Sequence, residues 1–180
     1  KPKISKLKLG FIGLFYIPRI VKASKLGDAA ILKVLIKILS ENKIKVIKLN
    51  TFNPELTLKK GVYTKIKPNL LEKEDISKGI RTLKKINSYN HTQAVIIRNN
   101  KVISRESRKG TKDMIKSVPK SKIKKGILIK MPKAKQDLRV DLPTIGIDTF
   151  KDCNKVGIKG IVVKSNQNII LSKEVCIKYA

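Results

Sequence analysis

Apolar residues recur along this chain with two periods, and the period changes often enough to predict alternating helices and strands. In DAAILKVLIKILSEN, residues 28–42, Ile31, Leu35 and Ile38 return at helical spacing while Lys33 and Lys37 take the outer side, and Asp28 stands where a cap belongs. A second helix is predicted from Glu72 to Asn87, with Ile76, Ile80 and Leu83 on one face. Glu72, Glu74 and Asp75 sit near its N-terminus, where the helix dipole favours them. Between these helices Ile44, Val46 and Leu49 alternate as a strand, and TFNPEL, residues 51–56, reads as a loop and a domain boundary.

The second half changes period more quickly. QAVIIRNNKVIS, residues 93–104, has two apolar runs joined at Asn99-Asn100, residues that tolerate left-handed turns, and so reads as a hairpin. RKGTKDMIKS, residues 108–117, is a Gly-Thr turn into a short helix, and GILIKM, residues 126–131, is a strand of the buried kind. A helix over residues 148–156 stops at Gly157. Strands follow over 160–164 and 169–171, separated by the turn SNQN, and a last helix begins at Ser172. The alternation predicts an α/β domain with a mixed sheet and flanking helices.

The opening residues 1–26 are rich in Lys and carry Phe11, Leu14, Phe15 and Tyr16 close together. A basic surface that touches a membrane is one reading, and a connecting segment packed on a core is the preferred one. The run LGFIGLFYIP, residues 9–18, is too short to span a bilayer. With 180 residues and 41% hydrophobic content, the chain builds a real core, as one domain or as a compact domain with part of a neighbour. Lys1 at the start, and a final helix cut at Ala180, give it the look of a fragment.

Composition narrows the chemistry. A formal net charge of +29 suggests phosphate partners, yet only Arg19, Arg81, Arg98, Arg105, Arg108 and Arg139 among the 42 basic residues are Arg, and there is no Trp. Recognition of base edges and single strands draws on Arg and aromatics, so nucleic acid is not the expected partner. The Lys, Ile and Asn excess is what codon bias in an AT-rich genome leaves on any protein. Cys153 and Cys176 form no CxxC pair, and His91 is the single histidine, which excludes a zinc constellation and suits reduced thiols in the cytoplasm.

Against this basic background, four of the 13 acidic residues, Asp137, Asp141, Asp148 and Asp152, gather in one window. In QDLRVDLP, residues 136–143, Leu138, Val140 and Leu142 alternate with Asp137, Arg139 and Asp141, the period of a strand. On a regular strand the two aspartates lie about 13 Å apart, too far to share one metal ion, so either the chain bends or they do separate jobs. Arg139 could pair with either. Asp141, just before Pro143 and a Thr-Ile-Gly turn, sits where α/β proteins place ligand-binding groups. Such a carboxylate among lysines could hold a divalent cation against phosphate oxygens or orient an attacking water. Gly110-Thr111 at a helix start could turn backbone N–H groups to a phosphate, although an ordinary cap reads the same way. No Ser nucleophile motif, GxxxxGK[ST] loop or GxGxxG fingerprint is present.

Three segments, KMPKAKQDLRVDLPTIG (130–146), TQAVIIRNNKVISRE (92–106) and GDAAILKVL (27–35), resemble the LpxI family of UDP-2,3-diacylglucosamine pyrophosphatases. The likeness spans almost the whole chain, is densest from Gln93 to Gly160, and is most specific in QDLRVDLPTIG. It implies a cytoplasmic Mg2+-dependent enzyme of lipid A biosynthesis, peripheral to the inner membrane of a Gram-negative bacterium. Such an enzyme directs water onto the α-phosphate and releases UMP and 2,3-diacylglucosamine 1-phosphate. It further implies that residues 1–50 end an N-terminal domain and its linker, that 51–180 form the catalytic C-terminal domain, truncated at its end, and that a homo-oligomer is allowed.

The family's essential aspartate falls on Asp141 or Asp137, with Asp141 ranked first, and the same two residues are the expected metal ligands. Gln93 matches the family's Gly-Gln, with Thr92 in place of the Gly. The expected substrate-binding set is Gln93, Gly110, Thr111, Lys133, Arg139, Thr144 and Gly146. Two departures stand out. Lys109 and Lys112 flank Gly110-Thr111 where the family carries carboxylates, and Ala29 replaces an aspartate. Loss of anionic oxygens weakens the hold on a hard cation, which keeps open a non-catalytic relative that binds phosphates or lipid through its lysines.

Overall fold

The computed structural model describes residues 10–87, 92–134 and 136–180. Contacts divide them into two units: one runs to Lys48 and takes in Arg139–Asp141, and the larger holds Leu49–Leu138 and Leu142–Ala180.

The smaller unit is a pair of helices, α1 (Phe11–Ser24) and α2 (Asp28–Glu41), packed together. The connecting segment expected at the start of the chain is therefore a helix from Phe11 onward, and Pro18 lies inside it. The Arg19 guanidinium fork grips the Glu41 carboxylate at 2.6 and 2.8 Å, and the Asn42 amide donates to the Tyr16 hydroxyl. These pairings join residues more than twenty positions apart, and local spacing cannot display them. Gly27, at φ 102°, caps α2, so Asp28 is its first helical residue rather than its cap. The strand expected over 44–49 does not form. Ile44 and Ile47 are exposed, and with no neighbouring edge to pair with, their alternation has nothing to bury.

The larger unit opens with a one-turn helix, α3 (Leu49–Phe52), and a short 3-10 turn at Pro54–Leu56, where a loop was expected. Helix α4 (Leu70–Asn87) starts two residues before its predicted first turn because Asn69 and Glu72 form a capping box. The Asn69 N–H donates to Glu72 Oε2, and the Glu72 N–H donates to Asn69 Oδ1, each at 2.9 Å.

Strands β1 (Ala94–Arg98) and β2 (Lys101–Arg105) form the expected hairpin, with Asn99 and Asn100 both left-handed at φ 51° and 56°. Helix α5 (Thr111–Lys116), strand β3 (Ile127–Lys130), strand β4 (Thr144–Ile145), helix α6 (Ile147–Lys155), strands β5 (Gly160–Val163) and β6 (Ile169–Ile170), and helix α7 (Lys173–Tyr179) complete it. The main sheet runs β2-β1-β3-β5. Its first three strands are antiparallel neighbours and β3 lies parallel to β5, while β4 and β6 form a separate parallel pair. This is the mixed sheet that the pattern predicts.

Because successive side chains alternate, β1 and β3 each feed two cores. Val95, Ile97, Ile127 and Ile129 pack under Ile76, Ile80 and Leu83 of α4. Ala94, Ile96 and Leu128 pack on the other face against Met114 and Ile115 of α5, with Val118, Cys153, Val156 and Ile158. Gly79 lets α4 lie close on β3, since a Cβ there would run into the Ile129 side chain.

QDLRVDLP is not a strand. Leu138–Val140 turn, and only after Pro143 does the short strand β4 begin. A lone alternating run with no edge to join, ending at a proline, gains nothing from extension. The strand spacing of Asp137 and Asp141 therefore does not apply.

Two substitutions test this architecture. Gly157, at φ 75°, has the Ser121 carbonyl oxygen where a Cβ would stand, so Gly157→Ala should cost well over the ~1 kcal/mol typical of a compatible site, read from the urea midpoint. Glu72 is ion-paired to Lys159 at 2.5 Å, and that bond, ahead of the Asn69 N–H, holds its carboxyl below the usual value. Its contribution is present above pH 4.5 and fades as pH falls through the lower folded-state value. Glu72→Gln should thus be less stable than the parent at pH 7, with the gap closing in acid.

Candidate functional site

The site is built outward from the end of β3. Ile127 and Ile129 face α4, so Leu128 and Lys130 face the α5 side, and the last residue of the strand brings an ammonium to the edge of an apolar core. Lys130 is only 6% exposed. Its Nζ donates to Thr111 Oγ1 at 2.9 Å and to the Thr144 carbonyl at 3.0 Å. The Thr111 hydroxyl in turn donates to Glu106 Oε1 at 2.5 Å, and Glu106 Oε2 accepts the Gln93 N–H at 3.0 Å.

Glu106 is buried and lies just past β2, tied to the start of β1 by its own N–H to the Ala94 carbonyl and by the Thr92 hydroxyl on its carbonyl. The Met131 N–H donates to the Gln93 carbonyl. The ladder thus brings the start of β1 and the ends of β2, β3 and β5 to one end of the sheet, the carboxyl end of its parallel pair, where open α/β sheets place ligands.

Burial lowers the proton affinity of Lys130. The negative charge of Glu106 raises it, and nearby Lys133 lowers it again. Among the described residues no carboxylate forms an ion pair with this ammonium, and Glu106 reaches it only through the Thr111 hydroxyl.

Gln93, Thr111 and Thr144 of the expected set therefore meet in one network. The role of Thr111 in it is carried by the hydroxyl. Gly110 is the left-handed residue (φ 88°) that starts α5, and its N–H is spent on the Ser107 carbonyl. Lys133 closes a small turn with Gln136, its N–H bonded to Gln136 Oε1, and enters the network through its charge. Gly146 caps α6 and packs on Leu171. Asp137 belongs to the larger unit, Arg139 and Asp141 to the smaller. Asp137 and Asp141 are half-buried, and neither Asp137 nor Arg139 is without a partner. His91 lies outside the described residues.

Sequence reasoning missed Lys130 and Glu106. A signal existed for both: Lys130 ends an otherwise apolar run, and Glu106 is the single acid in SRESRK. A charge placed against its local pattern has a partner elsewhere.

This network does not fit a metal ion. Both Glu106 oxygens are occupied, and the neighbouring group is an ammonium. Nor do three or more His, Cys, Asp or Glu side chains gather as a cage among the described residues. Mg2+ asks for less, one or two carboxylates plus phosphate oxygens from a substrate. The thiols offer no nucleophile: burial, with Asp152 adding, pushes Cys153 up to about 12, and burial raises Cys176 as well. No helix among the described residues is long and apolar enough to cross a membrane.

Residues 59–180 match the model of the LpxI C-terminal domain. The chain is also similar to the UDP-2,3-diacylglucosamine pyrophosphatase LpxI of Caulobacter vibrioides, with 27% identity over 188 residues, covering 100% of this chain and 67% of that protein.

Removing the shared carboxylate tests the network. Glu106→Ala leaves the Gln93 N–H and the Thr111 hydroxyl without their acceptor and should cost about 1–3 kcal/mol in a denaturation midpoint. It should also lower the proton affinity of Lys130 further, read by side-chain NMR titration, because the one charge that raises it is gone.

Proposed function

The chain belongs to the LpxI family, and on that premise we propose that it hydrolyses UDP-2,3-diacylglucosamine at the α-phosphate. The observation that carries this reading is the similarity along the whole chain to a protein of that activity. In the reaction the oxygen of water joins the α-phosphorus and the bond from that phosphorus to the bridging oxygen breaks. The bridging oxygen leaves with the β-phosphate, so the products are UMP and 2,3-diacylglucosamine 1-phosphate, an intermediate of lipid A biosynthesis.

Asp141, with Asp137 as the alternative, orients the attacking water and takes its proton. The same carboxylates would hold Mg2+, which when bound supplies positive charge against the phosphate oxygens. Gln93, Gly110, Thr111, Lys133, Arg139, Thr144 and Gly146 are the proposed substrate-binding set. Residues 1–50 are read as the end of an N-terminal domain and 51–180 as the catalytic domain, working in the cytoplasm at the inner-membrane surface where a diacylated substrate resides.

A second reading, a relative that binds phosphates without turnover, is favoured by one observation. Lys109 and Lys112 beside Thr111 are both exposed cations, where the resemblance implies carboxylates.

UMP release from UDP-2,3-diacylglucosamine, followed with and without Mg2+, separates the two. Turnover that requires Mg2+ and falls about 10²–10⁴-fold in a folded Asp141→Ala variant is the expected result. Binding of the substrate with no UMP formed would support the second reading, and an unaffected Asp141→Ala enzyme would move the role to Asp137.

A further inference from the structure

We propose that Lys130, aimed by Thr111 and the Thr144 carbonyl, anchors a phosphate oxygen of the substrate at the carboxyl end of β3. The inference rests on the phosphoanhydride reading above and adds to it a binding residue from outside the QDLRVDLP segment.

The charge around Lys130 is out of balance. A buried ammonium is costly unless it is paired, and the two acceptors around Lys130 are both neutral, a hydroxyl and a carbonyl. An ammonium has three N–H donors, and only two have acceptors among the described residues. Glu106 compensates from a distance, and Lys133 adds a second positive charge nearby. The cluster of Lys130, Lys133 and Glu106 is left with an excess of positive charge, which an anion would complete.

The orientation is fixed as well. The Thr111 hydroxyl has one proton and gives it to Glu106, so it can only accept from Lys130. With the Thr144 carbonyl as the second acceptor, the direction of the third N–H is set before any ligand arrives. Glu106 is in this sense a positioning residue, holding Thr111 as an acceptor. A core gains little stability from such a device, since a buried ammonium and carboxylate together often hold a fold no better than apolar side chains of similar volume. Retaining the lysine makes sense as a ligand site.

The test uses the full chain and inorganic pyrophosphate as probe, by titration calorimetry without divalent cations, alongside KM and kcat on UDP-2,3-diacylglucosamine. Lys130→Met should weaken pyrophosphate binding by about 10- to 100-fold, the scale of a hydrogen bond to a charged group, and raise KM in a variant that still unfolds cooperatively. Thr111→Val, which keeps the charge and loses its aim, should weaken binding several-fold. Lys120→Gln, at an exposed lysine, should change nothing and so excludes a general surface-charge effect.

Unchanged pyrophosphate affinity in both Lys130→Met and Thr111→Val would overturn the anchor, whether or not the parent releases UMP. Should Lys130→Met fail to fold, an unchanged Thr111→Val affinity overturns it alone. Loss of pyrophosphate binding in the variants of a parent that releases no UMP would leave the anchor standing and remove the hydrolase reading.

Discussion

A sheet covered by helices on both faces has only its ends for chemistry. In the larger unit β1 and β3 are buried above by α4 and below by α5, the 118–158 core and α6, so a polar side chain on either strand has no exit except at the terminus. Lys130 occupies that terminus on β3, and Gln93 and Glu106 stand just before β1 and just after β2 at the same end of the sheet. Their meeting follows from the register of the ladder, which sets Ala94 opposite Lys130 and Val95 opposite Arg105.

The electrostatics of the chain operate on two scales. The large positive charge is spread over exposed lysines, where solvent and salt screen it and pairs contribute little. Inside the network a single ammonium and a single carboxylate, joined through one hydroxyl, matter more, because both are buried and the carboxylate raises the proton affinity of the ammonium. A general excess of lysine therefore says little about what the protein binds, whereas one lysine at the end of a buried strand says more.

The fold was largely legible where periodicity and turn chemistry agree. The apolar stripe of α4, the Asn-Asn turn of the hairpin, the continuous apolar run of β3 and the glycine after α6 all express local constraints, and each appears where it was read. Two of the misreadings share one cause. Residues 44–49 and 136–143 alternate like strands and find no edge to pair with, while α1 hides its order in an Arg19–Glu41 fork and in packing against α2. Alternation is a permission for a strand, and pairing is the requirement.

By itself the sequence determined the elements with strong periods, the α/β class and the kinship carried by QDLRVDLPTIG, because these depend on residues close together in the chain. Tertiary structure alone decided that Glu106, Thr111, Lys130 and Thr144 form one network, and that Arg139–Asp141 group with the smaller unit while Asp137 stays with the larger. The physical reason is range. A hydrogen bond between Lys130 and Thr111 spans nineteen residues, and its energy depends on burial and direction, quantities that exist only once the sheet has closed around it.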